Sequence, residues 1–285
     1  MKITFRNSAV AAVAALVPFL MGCAKKPALP VPDHVVVVIM ENRSKAEMLD
    51  TTQTPYINRL AKDDHAALFE QSYAVEHPSQ PNYFDLFAGS DQGVGDDYVP
   101  VHQPYNTDNI ARELLDAGKT FVCYSEGLPA AGSNDSAFGR YRRKHNPVPN
   151  WMGTGTFQVP PEINQPFTAF PTDFTKLPTV AYVIPNMLDD MHDTIAPIGD
   201  AWLRDHIDAY VQWAKTHHSL LILTWDEDDY RGANNILTVF DGEMVNAGTY
   251  NDTINHFSVL RTIEDMYKLR HADSAALATP IMSVW

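Results

Sequence analysis

The chain is poor in cysteine, poor in positive charge, and without an apolar run long enough to cross a bilayer. Only Cys23 and Cys123 occur in 285 residues, which excludes a disulfide framework as the source of stability. Cys123 sits in the strand-like stretch Thr120-Phe-Val-Cys-Tyr124 and reads as a small core residue rather than a nucleophile. With 21 Lys and Arg against 35 Asp and Glu, the formal net charge of -14 repels phosphate backbones, and nucleic acid is not expected as a partner. The densest basic stretch, Arg140-Tyr-Arg-Arg-Lys-His145, suits a solvated loop or a local phosphate-facing patch better than a duplex surface. Internal repeats and low-complexity tracts are also missing. What remains, 45% hydrophobic and 20% charged, buries a sizeable core, and one larger α/β domain fits better than two small ones.

The first residues stand apart from that domain. Lys2 and Arg6 precede an Ala/Val/Leu-rich run from Ala9 to Met21, too short to span, which reads as a secretory signal over residues 1–22. The run ends in Leu20-Met21-Gly22-Cys23, which resembles the lipobox of bacterial lipoproteins and implies acylation of Cys23. Residues 23–33, rich in proline, then read as a tether. The expectation is a lipoprotein exported to the bacterial cell envelope, periplasmic or on the outer surface, and membrane-bound through its N-terminal lipid anchor.

Residues 34–285 carry the folded domain. Val35 to Ile39 are five consecutive β-branched residues, the signature of a strand covered on both faces. Thr54-Pro55 opens a short helix, Ala67 to Val75 reads as a strand, and Pro81 suits the first turn of a helix running to Gly89. Thr107 and Asp108 are expected to cap a helix through Leu115. Lys119–Tyr124, Thr179–Ile184, Ser219–Thr224 and Asn235–Phe240 read as further strands. Asp200 starts a helix through Trp213, and Asn255-His256 leads another through Met266. Residues from about 127 to 177 lack clear periodicity and are expected to form a lid or insertion over the site. Strands alternating with helices predict an α/β fold with a mainly parallel sheet.

Several strands end in polar groups: Glu41-Asn42, Asn186 with His192-Asp193, and Asp226-Glu227, while Ser79 lies at a helix amino terminus. Each has a plain alternative, since serine before a helix is commonly a cap, acidic runs are commonly solvated, and Glu41-Asn42 suits a turn. Carboxylates directly after an apolar strand, however, are delivered to the carboxyl edge of the sheet, where open α/β folds do their chemistry. Two acidic sites with an amide form a cage for a hard cation. A serine beside that cation has its hydroxyl acidified, and a histidine in the cleft stabilises phosphoryl oxygens or protonates a leaving group. The set describes metal-assisted phosphoryl transfer.

Glu41-Asn42-Arg43-Ser44, His77-Pro78-Ser79-Gln80-Pro81-Asn82-Tyr83, Asn186 with His192-Asp193, Thr224-Trp225-Asp226-Glu227 and the run from His256 to Asp265 occur in an order that resembles a known family. It is the phosphoesterase family of bacterial phospholipases C and secreted acid phosphatases, within the alkaline-phosphatase-like superfamily. The resemblance implies a three-layer α/β/α sandwich with a mainly parallel central sheet, hydrolysing phosphate esters. It implies one divalent metal ion (Ca, Mg, Mn, Zn or Fe) held by Glu41, Asn42, Asp226 and Glu227. Ser79 would be the nucleophile forming a phosphoserine, with His192 facing the phosphate and Asp193 close by. Asn82, Asn186, His77 and His256 occupy motif positions as candidates for contacting substrate; for His77 and His256 a structural role stands level with a catalytic one. Lys45-Ala-Glu-Met-Leu-Asp50 replaces the aromatic/Asp pattern usual after Glu-Asn-Arg-Ser in the phospholipases, and the chain is short. Both favour the acid-phosphatase branch over a phosphodiesterase. A metal-binding surface lipoprotein without catalysis is the alternative from another class.

Overall fold

A computed structural model describes residues 1–4, 28–49 and 51–285. The expected signal cleavage site, Cys23 and the first part of the tether, to residue 27, lie outside the described residues. No described helix is long and apolar enough to cross a membrane.

In chain order the elements are β1 (His34–Met40), α1 (Lys45–Met48), α2 (Pro55–Leu60), β2 (Ala66–Tyr73), α3 (Ser79–Ala88), α4 (Ile110–Asp116) and β3 (Phe121–Ser125). A small hairpin, β4 (Ala137–Phe138) and β5 (Tyr141–Arg142), is followed by β6 (Asn164–Pro166) and β7 (Val180–Ile184). The chain finishes with α5 (Ala196–His206), α6 (Asp208–Ala214), β8 (Ser219–Trp225), β9 (Thr238–Gly242), β10 (Gly248–Asn255) and α7 (His256–Tyr267).

Eight strands form one sheet in the order β10-β2-β9-β8-β1-β7-β3-β6. β1 lies centrally, parallel to β7 on one side and β8 on the other. Its side chains alternate between two cores, as the two-residue period of a strand requires. Val35, Val37 and Ile39 pack under α3, α4 and α7, whereas Val36, Val38 and Met40 pack under α2, α5 and α6. The product is a three-layer α/β/α sandwich. β1 is apolar along its length because neither face meets water.

The sheet is mainly parallel, as expected, with one reversed strand, and two helix expectations are corrected. β9 pairs antiparallel with both β8 and β2, so it alone runs against its sheet. The cap of α4 is Asn109, whose side chain accepts from the Arg112 amide, not Thr107 or Asp108. The helix expected from Asp200 begins at Ala196 and is broken at Ile207, separating α5 from α6. Because the remaining strands are co-directional, the residues after β1, β2, β7 and β8 emerge on one edge.

Candidate active site

Glu41 follows β1 directly, is fully buried, and anchors the cleft with both carboxylate oxygens. Oε1 accepts from the Tyr83 hydroxyl at 2.7 Å and lies 3.0 Å from His145 Nε2. Oε2 lies 3.1 Å from the Ser79 hydroxyl, which is also 3.1 Å from Glu227 Oε1. One hydroxyl proton serves one of these carboxylates at a time. Ser79 is the first residue of α3, behind the N-cap Pro78, and its hydroxyl contacts the carboxylates of Glu41 and Glu227. Its hydroxyl is therefore turned into the cleft, which answers the simplest alternative for this residue.

The opposite wall comes from the end of β8. Asp226 and Glu227 are each 1% exposed, and neither oxygen of Asp226 has a hydrogen-bond partner. Burial, reinforced by the charge of Glu41, pushes the Asp226 carboxyl well above its ordinary range and that of Glu227 up to about 8. Glu227 Oε2 is paired with His77 Nδ1, and the His77 ring stacks on Tyr230 at 3.9 Å. His256 Nε2 donates to the Asp226 carbonyl at 2.7 Å, while its Nδ1 is buried without a partner. Burial lowers His256 to about 4, so its ring is neutral near pH 7.

A third wall comes from the region after β5 and the loop after β7. His145 bridges Glu41 and Asp190, with Nδ1 3.2 Å from Asp190 Oδ2. Burial favours the neutral ring, but the two flanking carboxylates outweigh it and raise His145 to about 9. Glu41 shows the converse: burial opposes its charge, yet His145 and its neighbours hold it at about 2. Lys144 lies between Asp97 Oδ2 at 2.8 Å and His192 Nε2 at 3.1 Å, and His192 Nδ1 faces Asp193 Oδ1 at 2.9 Å.

The sequence-selected residues thus divide. Glu41, Ser79, Asp226, Glu227, His77, His192 and His256 are joined by direct contacts or by a single intervening residue, and Asn42 adjoins Glu41 in the chain. Asp193 is exposed and sits behind His192, also meeting Arg140 Nη1 at 3.3 Å. Asn82 spends its amide on the turn before Ser79, accepting from the Val75 and Glu76 amides and donating to the Glu76 and Pro78 carbonyls. Asn186 likewise serves its own turn, donating to Asp189 Oδ2 at 2.7 Å and accepting from the Leu188 amide. Sequence reading missed Tyr83, Asp97, Asp190 and the individual parts of Lys144 and His145. The basic stretch 140–145 was the available signal for the last two.

Within this cleft, two groupings could receive a cation, both including Glu41. Glu41, His145 and His192 offer ligand atoms within 4.8 Å of one another. There, however, a charged His145 and the Lys144 ammonium already supply positive charge. On the Ser79 side, Asp226 presents two orphaned, buried oxygens beside Glu227 and Glu41. Unpaired buried carboxylates cost several kcal/mol of desolvation, roughly, and a divalent ion relieves that cost. The residues present fit a hard cation on this side.

The comparisons with known proteins agree in kind. A phosphatidylinositol-3-phosphatase of Mycobacterium tuberculosis is 46% identical over 260 residues, covering 90% of this chain and 84% of that protein. An acid phosphatase of Aspergillus fumigatus is 32% identical over 212 residues, covering 69% of this chain; the chain spans only 47% of that relative. Among solved structures, a protein in the alkaline phosphatase superfamily from Vibrio parahaemolyticus superposes with a TM-score of 0.60 at 12% identity, covering 90% of this chain and 72% of that one. At that identity the likeness speaks for the fold. The model of the Phosphoesterase family matches residues 47–270, most of the chain, which therefore belongs to the phosphoesterase family and is a phosphoric ester hydrolase with the alkaline-phosphatase-like fold.

Proposed function

We propose that the chain hydrolyses phosphate monoesters as an acid phosphatase does, through a phosphoserine on Ser79, with one divalent cation held by Glu41, Asn42, Asp226 and Glu227. The observation that carries this reading is Ser79 itself: buried, at the start of a ten-residue helix, its hydroxyl 3.1 Å from both Glu41 and Glu227. In the first step Ser79 Oγ attacks phosphorus, the Oγ–P bond forms, and the bond to the leaving-group oxygen breaks. The hydroxyl proton passes to the facing carboxylate of Glu227, the more basic of the two. The start of α3 presents its positive dipole end to the phosphoryl oxygens. Lys144, on the far side of Glu41 and in contact with His192, supplies donors for those oxygens and for the departing one. Water then attacks the same phosphorus and Ser79 is released. When bound, the cation supplies Lewis-acid stabilisation and acidifies the serine hydroxyl. Its all-oxygen donor set favours Ca, Mg or Mn over Zn or Fe.

The test is Ser79→Ala assayed on a chromogenic monoester with and without chelator, folding being checked by circular dichroism. Loss of turnover in the variant and after chelation is expected. Wild-type-like turnover in Ser79→Ala, or full activity after exhaustive chelation, overturns the scheme.

A second reading concerns the substrate. Exposed apolar side chains adjoin the site on several flanks: Tyr98 beside Asp97, Phe138 on the hairpin before Arg140, Ile195 after Asp193, and Tyr230 over His77. With the phosphatidylinositol-3-phosphatase relative, they favour a phosphate ester carried by a lipid head group. Export and anchoring at Cys23 would bring the site to a membrane surface. Rates on a phosphoinositide monoester, a soluble aryl monoester and a choline phosphodiester separate this reading from a soluble-substrate phosphatase and from a phospholipase C.

A further inference from the structure

The glycine- and aspartate-rich loop after α3 is fastened to the start of that helix by one residue. Gln80, directly after Ser79 and 1% exposed, donates its side-chain amide to the carbonyls of Asp96 at 3.0 Å and Tyr98 at 2.7 Å. Its backbone amide donates to Asp97 Oδ1 at 3.1 Å. Asp97 is thus gripped on both sides along the chain and through its own carboxylate. Its second oxygen, Oδ2, accepts from the Lys144 ammonium at 2.8 Å. Lys144 in turn lies 3.1 Å from His192 Nε2, and His192 Nδ1 lies 2.9 Å from Asp193 Oδ1. Asp193 is steadied by Arg140.

The direction of every hydrogen bond in this chain follows from chemistry. An ammonium has three donors and no acceptor, so the lysine donates to both neighbours. His192 Nε2 must then be the unprotonated nitrogen, and the ring proton sits on Nδ1, where a carboxylate receives it. We propose that Lys144, anchored on Asp97, is a positioning residue for His192, holding its ring in place with the proton on Nδ1 toward Asp193 and the Nε2 lone pair engaged. His192 Nε2 then presents neither a proton nor a free lone pair. Cleft-side donation falls to the lysine ammonium. This assignment also removes His192 from the set of cation ligands. The inference deepens the phosphoryl-transfer reading and rests on it for its kinetic consequence, whereas the tautomer does not depend on it.

The experiment is long-range 15N–1H correlation on histidine-labelled protein, loaded with a divalent metal, in wild type, Lys144→Met, Lys144→Arg and Asp97→Asn. Wild type is expected to show His192 protonated on Nδ1 with an unprotonated Nε2. Lys144→Met should lose that signature, Lys144→Arg should keep it because a guanidinium also donates, and Asp97→Asn should weaken it. In parallel, kcat for a monoester should fall roughly tenfold or more in Lys144→Met with a smaller change in KM, the scale on which loss of an orienting partner is felt. Protonation on Nε2 in wild type, or an unchanged tautomer in Lys144→Met, overturns the proposal. If Lys144→Met fails to fold, the Asp97→Asn spectrum decides. A protein with the expected tautomer but no esterase activity would sink the proposed function and leave this assignment standing.

Discussion

Tyr83 donates its hydroxyl proton to Glu41 Oε1 at 2.7 Å from one helical turn beyond Ser79. A single helix face therefore carries both the serine and the group that fixes the carboxylate facing it. The Tyr83 ring also stacks on His145, centroids 5.3 Å apart and nearly parallel, so it positions the cation paired with that carboxylate. Tyr83→Phe keeps the stacking and removes only the donor. A hydrogen bond to a charged group contributes about 1.5–3 kcal/mol, and a loss of stability on that scale is expected by urea denaturation. A variant as stable as wild type, with unchanged kcat/KM, would show that the contact organises nothing.

The orphaned oxygens of Asp226 give a prediction that does not depend on turnover. Divalent metal should raise the melting temperature of the wild-type protein, because a ligand at 100 times its Kd stabilises by about 2.7 kcal/mol. Asp226→Asn removes a buried carboxyl whose charged form burial and Glu41 disfavour, so the metal-free variant should melt no lower than metal-free wild type. It should also lose most of the metal-induced shift. A full shift in the variant would exclude Asp226 as a ligand.

Two buried acids far from the chemistry contribute to the dependence of stability on pH. Burial, reinforced by the Glu264 charge, raises Glu113 to about 9, and burial raises Glu264 to about 8; Glu113 has no partner for either oxygen. Both lie above the ordinary carboxylate value, so the folded state holds protons that the unfolded chain releases. Their stabilising contribution is full below about pH 4.5 and is lost as pH rises toward about 8 to 9. Glu113→Gln should therefore flatten the fall in melting temperature between acidic and alkaline buffer. Parallel curves for variant and wild type would contradict it.

The parts of the site that were legible in the sequence share one property: each directly follows a strongly apolar strand or begins a helix marked by proline. Glu41 and Asp226 needed only the strand before them, and Ser79 only its Pro-bounded turn. Asp97 comes from a loop and Lys144 and His145 from a single 3-10 turn, and their roles arise from contacts distant in sequence, such as Lys144 with Asp97, separated by 47. No local period reports that. The mainly parallel sheet is as expected, but two of its details are hidden for a similar reason. β10 was missed because Gly248-Thr-Tyr-Asn-Asp-Thr-Ile-Asn255 is an exposed edge strand without an apolar run. The reversal of β9 was hidden because strand direction is set by the connection, not by the strand's residues.

The segment 127–177, irregular in sequence, is tied to the serine-bearing helix through Trp151. That side chain is fully buried, with its ring edge-on to Phe84 at 5.2 Å and to Phe87 at 5.1 Å, both on α3. Its indole nitrogen donates to Thr107 Oγ1 at 3.1 Å, so the polar end is satisfied as well. Removing a buried tryptophan leaves a cavity that rigid neighbours fill poorly, and Trp151→Ala should cost about 3–5 kcal/mol. In a domain of this size each kcal/mol lowers the melting temperature by roughly 2–4 °C. Because the cavity opens against α3, kcat should fall below the permissive temperature too, which distinguishes it from a distant core deletion. Phe138→Ala, on the exposed hairpin of the same segment, should change stability by no more than about 0.5 kcal/mol. Equal effects of the two substitutions would show that the segment covers the domain without being part of its core.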